Sequence, residues 1–175
     1  MIGKFSYVWG NLSNKVGTST IRKCSYGGPV GSKTYLVESE KIVINFDDAS
    51  EALAEQLQVK KPDSVDALYI QDERLYLVEF KNTDDPNYEQ VKMKIHDTLA
   101  ILMRFDYITY SDLPFINIIL VRKFKSKEKR NMHHIKKAGK VPRLKLKLNF
   151  IQKVYQTNVF DISPEEYKKL IIPNI

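Results

Sequence analysis

Three side chains in this 175-residue chain are spaced to do metal or acid–base chemistry together: Asp66, Glu79 and Lys81. Asp66 is followed by twelve residues and then Glu-Phe-Lys. The three lie in two β-like runs, residues 65–70 and 75–81, around the polar segment Gln71-Asp72-Glu73-Arg74, which reads as a hairpin turn. With no Gly or Asn in that turn, a four-residue loop built on a type I turn is expected rather than a two-residue mirror-image turn. Either loop sets Ile70 opposite Leu75, Leu68 opposite Leu77 and Asp66 opposite Glu79. Side chains alternate faces along a strand, so Asp66, Glu79 and Lys81 emerge on one side. Directly opposed residues bring their Cβ atoms to roughly 4.5–5.5 Å, where like charges repel. Two carboxylates so placed call for a positive group between them. A divalent cation with oxygen ligands meets that need, and Lys81 adds an ammonium beside it. The plain alternative is a hairpin whose Lys81 forms a surface ion pair of little energetic weight. Against it, residues 67–70 and 75–78 are apolar on both faces, as in an interior strand, and charges in such strands are seldom without partners.

The pattern Asp66…Glu79-Phe80-Lys81 resembles the D…(D/E)xK signature of the PD-(D/E)xK, or restriction-endonuclease-like, nuclease superfamily. Its spacing is similar to that of archaeal Holliday-junction resolvases. The likeness covers roughly residues 50–105. The residue before Asp66 is Val65, and the literal Pro-Asp pair is Pro62-Asp63, which the hairpin register places on the other face. The resemblance implies an α/β fold with a central mixed sheet flanked by helices, and hydrolysis of phosphodiester bonds in nucleic acid, DNA favoured. It implies that Asp66 and Glu79, with the Phe80 carbonyl, hold Mg²⁺ or Mn²⁺, and that Lys81 orients or activates the attacking water. A third acid often comes from a helix before the motif strands, which makes Glu51 and Glu55 candidates, with solvated helix charges the alternative for both. The helix after the motif often lends polar residues, which singles out Gln90 and Lys94. Cutting both strands of a duplex calls for two sites, as a homodimer would supply. The rival reading keeps the fold without the chemistry, as a nucleic-acid-binding or partner-binding protein.

Several elements must position these residues. Residues 34–37 and 41–46 look like a second hairpin turning near Ser39-Glu40, and Asp47 to Ser50 supply caps for a helix, EALAEQLQV. The stretch 41–46 is also the candidate for the first core strand, since only residues 60–66 separate that helix from Asp66. Pro86 suits the first turn of a helix over residues 87–106, with an apolar stripe at Val91, Ile95, Leu99, Leu102 and Phe105. Residues 113–121 read as a buried strand that a right-handed crossover sets parallel to the motif strand. Residues 144–149 alternate as an edge strand, residues 157–161 add another, and a closing helix begins at Ser163-Pro164-Glu165-Glu166 and runs through Leu170. His96 is expected to be a satisfied or surface histidine. The adjacent His133 and His134 are poorly spaced for a chelate. The glycines before Lys33 miss the spacing of a phosphate loop.

Composition fits one globular domain over residues 1–175, with 43% hydrophobic and 28% charged residues. No run is apolar enough to span a bilayer and no signal-peptide pattern is visible. The single cysteine, Cys24, fits a reducing compartment, so a cytoplasmic location is the default. The net charge of +7 is uneven: residues 122–147 hold twelve Lys or Arg and one acid, a local +11, leaving −4 elsewhere. Residues 122–143 read as an exposed basic arm or loop. Its Lys123, Lys125, Lys127, Lys129, Arg130, Lys136, Lys137 and Lys140 are candidate phosphate contacts, the alternative being mere solvation.

Overall fold

The computed structural model describes residues 4–27, 34–124 and 148–171. Six strands form one open mixed sheet: β1 (Ser19–Thr20), β2 (Ile42–Asn45), β3 (Ala67–Gln71), β4 (Arg74–Lys81), β5 (Ile116–Arg122) and β6 (Asn158–Ile162). Sequence order is also spatial order. Neighbours from β1 to β4 are antiparallel, whereas β4, β5 and β6 run parallel. The helices are α1 (Ser6–Val16), α2 (Ile21–Cys24), α3 (Phe46–Leu57), α4 (Tyr88–Arg104), α5 (Asn149–Tyr155) and α6 (Pro164–Ile171), with a 3-10 helix at Tyr110–Phe115.

Both faces of the sheet are covered, and strand parity decides which residue meets which layer. Ile44, Leu68, Leu75, Leu77, Ile118 and Leu120 pack against α1, α3, α4 and α5. Val43, Ala67, Tyr69, Tyr76, Val78, Phe80, Ile119 and Val121 face the other layer, which α2 and α6 supply through Ile21 and Tyr167. Glu79 and Lys81 continue the parity of Leu75 and Leu77, so they point toward the α4 layer. The stripe Val91, Ile95, Leu99 and Leu102 is buried as its period requires. Among the described residues no helix is long and apolar enough to cross a membrane.

The expected pairing of β3 with β4 holds, with Ile70 opposite Leu75 and Leu68 opposite Leu77, and β5 lies parallel to β4. The turn differs. Gln71 pairs with Arg74, and both central residues are left-handed, Asp72 at φ 49° and Glu73 at φ 57°. This is a two-residue mirror-image turn, whose twist suits the strands even though non-glycine residues must adopt it. The second expected hairpin is absent. Residues 34–37 contribute only a single bridge, Tyr35 to Tyr26, and β2 pairs instead with β1 and β3. Helix α3 begins at Phe46, not after Ser50, because the Asn45 side chain accepts the Asp47 N–H and caps it. Asn87 caps α4 through the Glu89 and Gln90 N–H groups, so Pro86 lies just outside the helix. The strand expected over 113–121 starts at Ile116, its first residues forming the 3-10 helix. Of the expected edge strand 144–149, residues 144–147 lie outside the described residues, while Asn149 opens α5. Ser163 and Glu166 form a reciprocal cap at the closing helix, as expected.

Candidate active site

The start of β3 is fixed from three sides, and that fixes Asp66. Its N–H donates to the Val78 carbonyl of β4, and its carbonyl accepts from Phe46 N–H at the head of α3. One residue earlier, the Val65 N–H donates to Thr98 Oγ1 on α4 at 3.1 Å in a buried contact. Beyond this point β3 offers β4 no further ladder. The Asp66 side chain takes that role, its Oδ2 accepting the Phe80 N–H at 2.6 Å. Val78 and Phe80 present their backbone groups to the same edge of β4, so the Phe80 carbonyl also faces the Asp66 side.

Lys94 closes the cluster from α4. Its Nζ lies 3.2 Å from Asp66 Oδ1, 2.9 Å from Glu79 Oε1 and 3.1 Å from Glu79 Oε2. Lys81 Nζ stands 2.8 Å from Glu79 Oε1. The side chain of Glu79 is 1% exposed, against 16% for Asp66, 15% for Lys94 and 20% for Lys81. Two carboxylates and two ammoniums thus form one cluster on the α4 face of the sheet. Glu79 Oε1 is buried and has no well-directed hydrogen bond, although both ammoniums approach it.

Burial raises the Glu79 carboxyl to about 7, the Asp66 charge adding to the rise and Lys94 and Lys81 opposing it. Asp66 is raised too, chiefly by burial, against the pull of Lys94 and the Phe80 N–H. Burial pulls the Lys94 ammonium down, but Asp66, Glu79 and their hydrogen bonds outweigh it and the net shift is upward. The cluster therefore holds its protons more firmly than free side chains would. A carboxyl titrating near neutrality is suited to proton transfer.

The residues brought together are Asp66, Glu79, Lys81 and Lys94; Phe80 joins through its backbone. Gln90 is exposed one turn before Lys94 and lies outside the ion-pair cluster. Glu51 and Glu55 are exposed on α3, and among the described residues no group of three His, Cys, Asp or Glu is placed to hold a metal. Because α3 begins earlier than expected, its first-turn acids lie nearer the site: Asp47 accepts Ser64 Oγ and acts electrostatically on Asp66. The oxygen donors present, two carboxylates and a backbone carbonyl, are hard ligands of the kind Mg²⁺ and Mn²⁺ take, with waters or phosphate oxygens filling the remaining positions.

Arg122 corrects the reading of the basic arm. It is the last residue of β5, opposite Lys81, and is buried. Its guanidinium grips Asp161 of β6, with Nε 2.9 Å from Oδ1 and Nη2 3.0 Å from Oδ2, and Nη1 donates to the Asp84 carbonyl at 2.7 Å. That contact holds the loop leaving Lys81. Lys123 is exposed and lines a cleft of about 340 Å³ with Asn82, Tyr35, Phe124 and Ser163. Lys125, Lys127, Lys129, Arg130, Lys136, Lys137 and Lys140 lie outside the described residues, as do His133 and His134. His96 contacts the Tyr155 hydroxyl and the Phe150 ring. No protein-family model, curated protein or solved structure matches the chain.

Proposed function

We propose that this protein is a divalent-metal-dependent nuclease with a restriction-endonuclease-like core, hydrolysing phosphodiester bonds in nucleic acid, DNA favoured. The observation that carries the reading is the convergence of Asp66 and Glu79 within ion-pair reach of Lys94, with Lys81 paired to Glu79, on one face of the sheet. Support also comes from topology: β3, β4, the covering helix α4 and a parallel β5 follow one another as strand, strand, helix and strand within a mixed sheet, the order the resemblance implies.

Asp66 Oδ1, Glu79 and the Phe80 carbonyl are the groups that would hold Mg²⁺ or Mn²⁺. Bound there, the ion supplies Lewis-acid polarisation of a phosphate and a water of lowered pKa. Lys81 steadies the charge that develops on the phosphate and orients the attacking water. Asp66 sets the geometry by tying the start of β3 to the Phe80 N–H.

The rival reading, a nucleic-acid-binding or partner-binding protein without chemistry, has one observation in its favour: Lys94 and Lys81 already neutralise both acids. The test is cleavage of single-stranded, duplex and branched DNA and RNA in Mg²⁺ and in Mn²⁺. The nuclease reading expects chelator-sensitive cleavage, reduced at least about 100-fold by Lys81→Ala, the order lost when one charge-stabilising donor is removed. Intact nucleic acid throughout, with binding that Asp66→Asn leaves unchanged, would move the assignment to the rival.

A further inference from the structure

We propose that the Lys94 ammonium is an internal stand-in for the metal ion, and that a divalent cation enters the site by displacing it. The inference rests on the metal-site reading above and goes one step further, to how the site is filled. Lys94 Nζ contacts an oxygen of Asp66 and both oxygens of Glu79, all between 2.9 and 3.2 Å. A Mg²⁺ ion bound to those oxygens would sit roughly 2.0–2.1 Å from each. The ion and the ammonium would then crowd the same gap between the same two carboxylates. Two cations so close, in a place where the Glu79 side chain is 1% exposed, repel too strongly to coexist.

The two lysines are not equivalent. Lys81 contacts Glu79 Oε1 alone, extending along the strand from the same face, and leaves Asp66 free. It stays when an ion enters. Lys94 spans both acids, so it is the group in the way. It also has a path out: four methylenes of flexible stem, partial exposure, and a position in the second turn of α4, beyond the exposed Gln90.

Displacement has a consequence for order of binding. With both lysines in place the cluster is formally neutral, two acids against two ammoniums, and an entering dication leaves an excess of positive charge. The expelled ammonium then needs an anion, and the backbone phosphate of a nucleic acid is the anion the proposed activity brings. Metal and nucleic acid should therefore favour each other's binding, and equally in both directions. Lys94 acts in this scheme as a positioning residue and a gate.

The test is Mn²⁺ binding to the free protein, followed by electron paramagnetic resonance, in wild type, Lys94→Met and Glu79→Gln, with Lys94→Gln as a second variant should the first fail to fold. No substrate and no turnover are required. The expected result is weak, Glu79-dependent binding in wild type and binding at least tenfold tighter in Lys94→Met or Lys94→Gln. If wild type binds Mn²⁺ through Glu79 but both Lys94 variants bind equally or less tightly, the displacement proposal fails while the metal site stands. If no variant binds Mn²⁺ at all, the metal site fails and takes the proposal with it.

Discussion

Replacing Glu79 with Gln should stabilise this protein above neutral pH while destroying its proposed activity. Wild-type Glu79 has an ordinary value of 4.5 in the unfolded chain and about 7 in the folded one, raised first by burial and then by Asp66. Between those values the folded state binds a proton that the unfolded state has lost, so stability falls as pH rises through that window. The contribution is fully present below pH 4.5 and gone above about 7. At 1.36 kcal/mol per unit, the rise corresponds to on the order of 3 kcal/mol. Gln has the shape of a protonated Glu, so Glu79→Gln should match wild type at pH 4.5 and exceed it by up to that amount at pH 8. For a domain of this size 1 kcal/mol moves Tm by about 2–4 °C, which sets an expected gain of roughly 6–12 °C. Urea unfolding and thermal melts from pH 4.5 to 8.5 would measure it. A difference that stays flat with pH, or a wild type more stable than the variant at pH 8, would refute the reasoning, since the ion pairs with Lys81 and Lys94 would then outweigh burial. A costly buried acid is kept where function needs it.

Arg122→Met should cost about 3–5 kcal/mol, because the largely buried Asp161 loses the guanidinium that grips both of its oxygens. Hydrogen exchange should show residues 82–87 loosened with it, since the Asp84 carbonyl loses the hydrogen bond from Arg122; unchanged protection there would count against the Arg122 anchor. Thr98→Val should cost about 1–3 kcal/mol in urea unfolding, as the buried Val65 N–H loses its acceptor. Replacing Asp72-Glu73 by Asn-Gly should add roughly 1 kcal/mol, because both positions are left-handed and Asn-Gly adopts that turn more readily; a loss of stability would show that the turn is not of the mirror-image type.

The pairing of Asp66 with Glu79 was legible because strand parity does not depend on the turn that joins the strands. A two-residue and a four-residue loop around Asp72-Glu73 give one register, so the wrong turn type still put both acids on one face. The stripe from Val91 to Leu102 likewise specified α4 and its buried side. Other features had no local signal. Val37 is fully buried without belonging to a strand, so the apolar run around it imitated one. Phe46 continues the apolar pattern of β2 yet opens α3, because the Asn45 cap governs the backbone there. Arg122 sits at the head of a charge run, and composition does not distinguish the last residue of a buried ladder from the first of a loop. Lys94 was visible only as a polar residue beside a core stripe; that it spans two carboxylates depends on how α4 crosses β4.

Anomalous diffraction from a crystal soaked in Mn²⁺ tests the whole account most directly. A manganese peak bound by Asp66 and Glu79 is expected, with the Phe80 carbonyl facing it and Lys94 Nζ withdrawn from both carboxylates. Density with Lys94 still bridging the two acids, and no manganese beside them at saturating concentration, would contradict it.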